Sequence, residues 1–144
     1  MTLHASYVRS LFANLEHGNS DAFFEHVADD VNWTVMGTHP LAGNYHTKSS
    51  FLAHTFARLN KILKEGVVLR VTNVLVDGDS AAVEMESLST ALDGQPFDNR
   101  YCWIVHFSNG TIVEVRAYLD SALVQRLIDE NEPSASQQGQ KKIG

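Results

Sequence analysis

The chain holds one cysteine and three prolines, and none of its apolar runs is long enough to cross a bilayer. A single thiol, Cys102, allows no internal disulfide and no cysteine-rich zinc site. It sits in the run Tyr101-Cys102-Trp103-Ile104-Val105 and reads as a buried core thiol. Positive charge is scarce: 11 Lys and Arg stand against 17 Asp and Glu, a formal charge of −6. Only Lys141-Lys142 pairs two cations in the tail, so nucleic acid is not expected as a partner. No stretch approaches the roughly 20 apolar residues of a membrane span. The opening MTLHASYVRS lacks the basic start and apolar centre of a secretory signal, so a cytoplasmic location is expected. The seven histidines show no two-His spacing with a nearby acid on one helix turn, and neither a metal nor a cofactor is expected.

What is present suffices for one core. Hydrophobic residues make up 44% of 144 residues and charged ones 19%, the balance of a globular domain. That domain is expected over residues 1–130, followed by a polar tail over 131–144. Leu3, Tyr7, Val8, Leu11, Phe12 and Leu15 mark one face of a helix from about Thr2 to His17. A short second helix points Phe23, Phe24 and Val27 inward. A strand from Val31 to Met36 follows, then a loop from Gly37 to His46, and a third helix from about Thr47 to Leu63.

Two-residue alternation then takes over. Strands are expected over Val67 to Val76, over Ala81 to Leu92, from the following turn to Phe107, and over Thr111 to Leu119. Asp77-Gly78, Asp93-Gly94 and Asn109-Gly110 turn the chain between them. A last helix spans Asp120 to Glu130, with Asp120 placed to cap it. Helices segregated from an antiparallel meander define the α+β class.

Ala28-Asp29-Asp30-Val31, the loop Gly37-Thr38-His39-Pro40-Leu41-Ala42-Gly43 and the ending Gly110 to Tyr118 resemble the superfamily of nuclear transport factor 2, the ketosteroid isomerases and the SnoaL-like polyketide cyclases. The resemblance implies a cystatin-like cone, with helices packed on a strongly curved antiparallel sheet around a pocket. It also implies catalytic positions that this sequence does not fill. The steroid isomerases' hydrogen-bonding Tyr matches Leu11, their general-base Asp matches Val35, and their protonated Asp matches Trp103. Dienolate chemistry needs a base and an oxyanion donor, so that mechanism is not expected. The acidic base of the polyketide cyclases falls near Ala117.

The same register turns Trp103, Tyr101 and Asn99 into the cone, with Trp33 and Val35 from the first strand and Val115, Ala117 and Leu119 from the last. On the strand between, it turns Glu84, Glu86 and Leu88 inward. Glu86 beside Trp103 would then be desolvated into the range of a general acid or base. Against this, the alternation of Ala81, Val83 and Met85 marks those residues as the buried set and both glutamates as solvated. His39, at the pocket mouth, is either a proton shuttle or a loop histidine bonded to backbone. The candidate catalytic set is thus Glu86, His39 and Tyr101. Ligand contacts are expected from Trp33, Val35, Asn99, Trp103, Leu11 and Val115.

Two functions fit these residues. One is cofactor-free acid–base chemistry on a small apolar or amphipathic molecule: isomerisation, dehydration, cyclisation or epoxide hydrolysis. The other is a binding or interaction module without turnover. The uncovered sheet face, with Val113 and Met85, makes a homodimer the expected state, and Glu114 and Arg116 form an outward pair.

Overall fold

A computed structural model describes residues 2–133. The chain begins with α1 (Ala5–Ala13), whose Val8, Leu11 and Phe12 are buried, and α2 (Ser20–Phe24), which buries Phe23 and Phe24. Strand β1 (Val27–Val35) and the short β2 (Gly43–Tyr45) follow, then α3 (Lys48–His54) and α4 (Phe56–Asn60). Long strands come next: β3 (Leu69–Asp77) and β4 (Ser80–Ser87). A small ribbon of β5 (Ser89–Thr90) and β6 (Pro96–Phe97) separates them from β7 (Arg100–Ser108) and β8 (Thr111–Leu119). Helix α5 (Ser121–Asn131) closes the described chain.

The main sheet runs β2-β1-β8-β7-β4-β3. Its pairs are antiparallel apart from β1 beside β8, which is parallel. The β7–β8 turn is tight because Asn109 and Gly110 both take positive φ, 51° and 82°, the primed geometry that matches strand twist. Among the described residues no helix is long and apolar enough to cross a membrane. The polar tail expected over 131–144 lies outside the described residues beyond its first three, of which Asn131 ends α5.

Three expected elements differ. Val27 opens β1 rather than closing α2, so that strand starts four residues before the expected Val31. The helix expected from Thr47 to Leu63 breaks at Thr55, whose backbone sits at φ −122°, ψ −79°. Its Oγ1 donates to the Phe51 carbonyl at 2.6 Å, and its own N–H donates to the same oxygen at 3.0 Å. A side chain bonding back four residues bends a helix. The long strands expected around Asp93-Gly94 are interrupted because the chain leaves the sheet after Ser87 to make the β5–β6 ribbon.

Two hydrophobic cores result. The larger lies between the sheet's inner face and α1 to α3, with Phe12, Phe23, Trp33 and Trp103 at its centre. The smaller gathers Leu41, Leu59, Ile62, Phe97, Val124 and Leu127 beneath α5. Half-buried Val67 and Leu119 pack against both.

Candidate functional site

A cavity of about 50 Å³ lies where the two cores meet. Its floor is strand: Trp33 and Val35 from β1, Tyr101 and Trp103 from β7, Ala117 and Leu119 from β8. Register explains the grouping. Val35 pairs with Ala117, Trp103 with Ala117 and Tyr101 with Leu119, and directly opposed residues share a face. Phe51 and Thr55 face the cavity from the end of α3, four residues apart on one helix side. Leu41, Leu59 and Val124 close it from the smaller core. Trp33 stacks on Phe51 with centroids 3.9 Å apart and planes at 21°. It meets Trp103 edge-to-face at 5.1 Å and 82°.

The polar groups in this wall are few. Tyr101 makes no side-chain hydrogen bond among the described residues, and burial pushes its phenol above the usual range, so it remains a protonated donor at neutral pH. Thr55 donates to Phe51 and keeps acceptor capacity. His39 is 5% exposed. Its Nδ1 accepts from the Leu41 N–H at 3.2 Å, which puts the proton on Nε2, 3.0 Å from the Met36 carbonyl. Burial lowers its pKa, with the Met36 bond opposing. A neutral ring whose two nitrogens both serve the backbone has none free to shuttle a proton. Among the described residues the lining contains no Asp, Glu, Lys or Arg. Nor does any group of three or more His, Cys, Asp or Glu among them suit a metal ion.

Of the expected residues, the structure gathers Tyr101, His39, Trp33, Val35 and Trp103 around one cavity. Glu86 is a correction. Val83 pairs with Trp103 and Met85 with Tyr101, so the inward residues of β4 are Val83 and Met85, and Glu84 and Glu86 point out. A simple hairpin about Asp93-Gly94 would set Glu86 opposite Tyr101, but the β5–β6 ribbon inserts residues that belong to neither long strand and shifts the pairing by one. Glu86 is instead bonded to Arg70 across the β3–β4 pair and lies 3.7 Å from Arg100. Leu88 is 43% exposed, and Met85, expected on the uncovered side, is buried in the core.

Asn99 is buried but serves as a backbone clamp. Its Oδ1 accepts from the Arg100 and Asp120 N–H groups at 2.8 and 3.1 Å, and its Nδ2 donates to the Asp120 carbonyl at 3.3 Å. Leu11 and Val115 are core residues that do not reach the cavity. Asp120 caps α5 by accepting from the Leu123 N–H at 3.2 Å. Sequence reasoning missed Phe51, Thr55, Leu41 and Val124 as lining residues. The helical spacing of Phe51, Thr55, Phe56 and Leu59 in the sequence signals a buried side, not a cavity.

The model of the SnoaL-like domain family matches residues 8–115. The dimerizing cyclase phiC of a fungal species is 28% identical over 130 residues, covering 88% of this chain and 57% of that protein. The dimerizing cyclase tstC of Talaromyces stipitatus is 28% identical over 116 residues, covering 78% and 52%. The chain thus spans just over half the length of each relative. Among solved structures, an NTF2-like protein from Burkholderia thailandensis superposes with a TM-score of 0.73 at 22% identity, covering 85% of this chain and 95% of that one. At that identity the likeness speaks to the fold.

Proposed function

The chain belongs to the SnoaL-like domain family, and from that premise we propose that its cone takes up a small, largely apolar molecule and performs cofactor-free chemistry on it. The observation that carries this reading is the cavity itself: an apolar pocket whose wall holds the phenol of Tyr101, which has no hydrogen-bond partner among the described residues. An apolar cavity with a few convergent polar groups is the usual form of a small-molecule site. Cyclisation is the favoured member of the isomerase, dehydratase, cyclase and epoxide hydrolase range, because two relatives are named cyclases. Ring closure gains most from holding a flexible molecule in a reactive shape, which needs no ionised residue. Tyr101 would hold a substrate oxygen, Trp33 and Trp103 would form the flat wall, Val35 would contact the ligand, and His39 would fix the loop at the mouth.

A second reading, binding without turnover, is favoured by the absence of any carboxylate from the described lining and by the engagement of both His39 nitrogens. Incubating the protein with small enolisable ketones in deuterated buffer tests the division of labour. Orientation-driven chemistry and pure binding both expect exchange next to the carbonyl at the buffer rate. Faster exchange that Tyr101→Phe abolishes would reveal an acid–base site and overturn both. The pocket itself is tested by methyl NMR: small apolar probes should perturb Val35, Leu119 and Val124 saturably, and perturbation elsewhere alone would sink the reading.

A second copy of the chain, docked across the outer sheet face, is the partner proposed. Arg70, Glu86, Arg100, Glu114 and Arg116 alternate in sign there around half-buried Ala82, Cys102 and Ile104. A surface of mixed sign can complement itself about a two-fold axis.

A further inference from the structure

Two buried side-chain polar atoms have no hydrogen-bond partner among the described residues, and they are the indole nitrogens of Trp33 and Trp103. Both rings line the cavity and touch one another, and both residues are almost wholly buried, at 0% and 4% exposure. A buried donor without an acceptor destabilises a fold, so two in one contact are a departure from how folds are normally satisfied. The rings around them offer only their faces, which are weak acceptors. An indole N–H can only donate and does not ionise. Tyr101 adds an O–H to the same wall, and no charged side chain of either sign lines it among the described residues.

A ligand that settles into such a wall must bring acceptors. It must also bring them without charge, because an ion entering here would lose water and meet no counter-ion. We propose that Trp33 and Trp103 are ligand-binding donors, and that with Tyr101 they select a neutral carbonyl oxygen (ketone, quinone, lactone or ester) over carboxylates and amines of the same skeleton. A carbonyl oxygen has two lone pairs and can accept from two donors at once. The inference rests on the pocket reading above and adds to it the chemistry of the ligand.

The two indole N–H signals in a proton–nitrogen NMR spectrum, assigned with Trp33→Phe and Trp103→Phe, report on this directly. The probes are cyclopentanone, methylcyclopentane, cyclopentanecarboxylate and cyclopentylammonium at pH 7.5. Cyclopentanone should move both indole signals downfield with a saturable curve and bind at least about fivefold more tightly than the other three. In either Trp→Phe variant that preference should shrink to about twofold. Methylcyclopentane binding as tightly as the ketone, or ketone binding with still indole signals, overturns the donor role while leaving the pocket standing. Preference for the carboxylate or the ammonium overturns it as well. Failure of all four probes to perturb any cavity residue overturns the pocket reading together with this one. The wild-type signals alone decide the matter if a Trp variant does not fold.

Discussion

Tyr101 and His39 share a cavity wall but differ in what holds them. The Tyr101 hydroxyl bonds to nothing among the described residues, so its loss should leave the fold almost untouched. Tyr101→Phe is expected to shift the melting temperature by no more than about 2 °C, while weakening a carbonyl ligand about three- to tenfold, the value of one neutral hydrogen bond. Calorimetric melting and titration on the same sample check both halves. His39 has the opposite profile. Burial lowers its pKa in the folded protein, so the unfolded chain takes up a proton there first as the solution acidifies. Its contribution to stability is complete above the unfolded pKa near 6.5 and is lost as pH falls through that value toward the folded one. Melting temperatures between pH 7.5 and 5 should therefore fall more steeply for the wild type than for His39→Asn. Equal slopes would show that His39 is not the group responsible. Trp33, Val35, Trp103 and Tyr101 were all legible as cone residues, since period-two alternation fixes a face once one member is placed. For β4 two readings stood side by side. The strand's own alternation of Ala81, Val83 and Met85 marked the buried face correctly. The register carried over from β7 turned Glu86 inward, because the intervening ribbon hides that register from a count along the chain.

At the level of elements, the connection from β8 into α5 depends on one side chain. Asn99 satisfies three backbone groups around Arg100 and Asp120 from a buried position. Asn99→Ala would strand them, and urea unfolding should report a loss of about 2–3 kcal/mol. Asp120→Ala removes only the helix cap, and a loss of about 1 kcal/mol is expected. An Asn99 variant no worse than the Asp120 one would remove the clamp from the account. Gly37 works in the same corner. Its φ is +114°, and a Cβ there would collide with Ser121 Oγ at the start of α5. The cap was readable from Asp120 alone, because capping is local. The clamp joins positions 21 apart and has no local signature, and neither does the break at Thr55, where a helix-compatible sequence is overridden by a single hydroxyl.

For the molecule as a whole, the order of helices and strands and their α+β segregation were readable from periodicity and turn residues. The parallel pairing of β1 with β8 was not, since nothing in either strand names its neighbour. The outer sheet face is where a dimer is expected, and sedimentation should find a two-chain species at micromolar concentration. Ile104→Glu places a charge among the half-buried apolar residues there and should return the protein to a monomer without altering ligand affinity. A wild-type monomer at that concentration would set the dimer aside. Arg58 and Glu132 add a further constraint, bonded twice at 2.7 Å between α4 and the end of α5.

The cavity lies on the joint between two cores, and a joint behaves unlike a hole in a single block. Its walls come from two packed groups, and α5, which sits on the smaller one, is tied back to α4 by the Arg58–Glu132 pair. A molecule seated there becomes a keystone, touching both halves and tightening them against each other. Hydrogen exchange in α5 should slow when the pocket fills, and Glu132→Gln should speed it when the pocket is empty. Exchange in α1, which belongs wholly to the larger core, should follow neither.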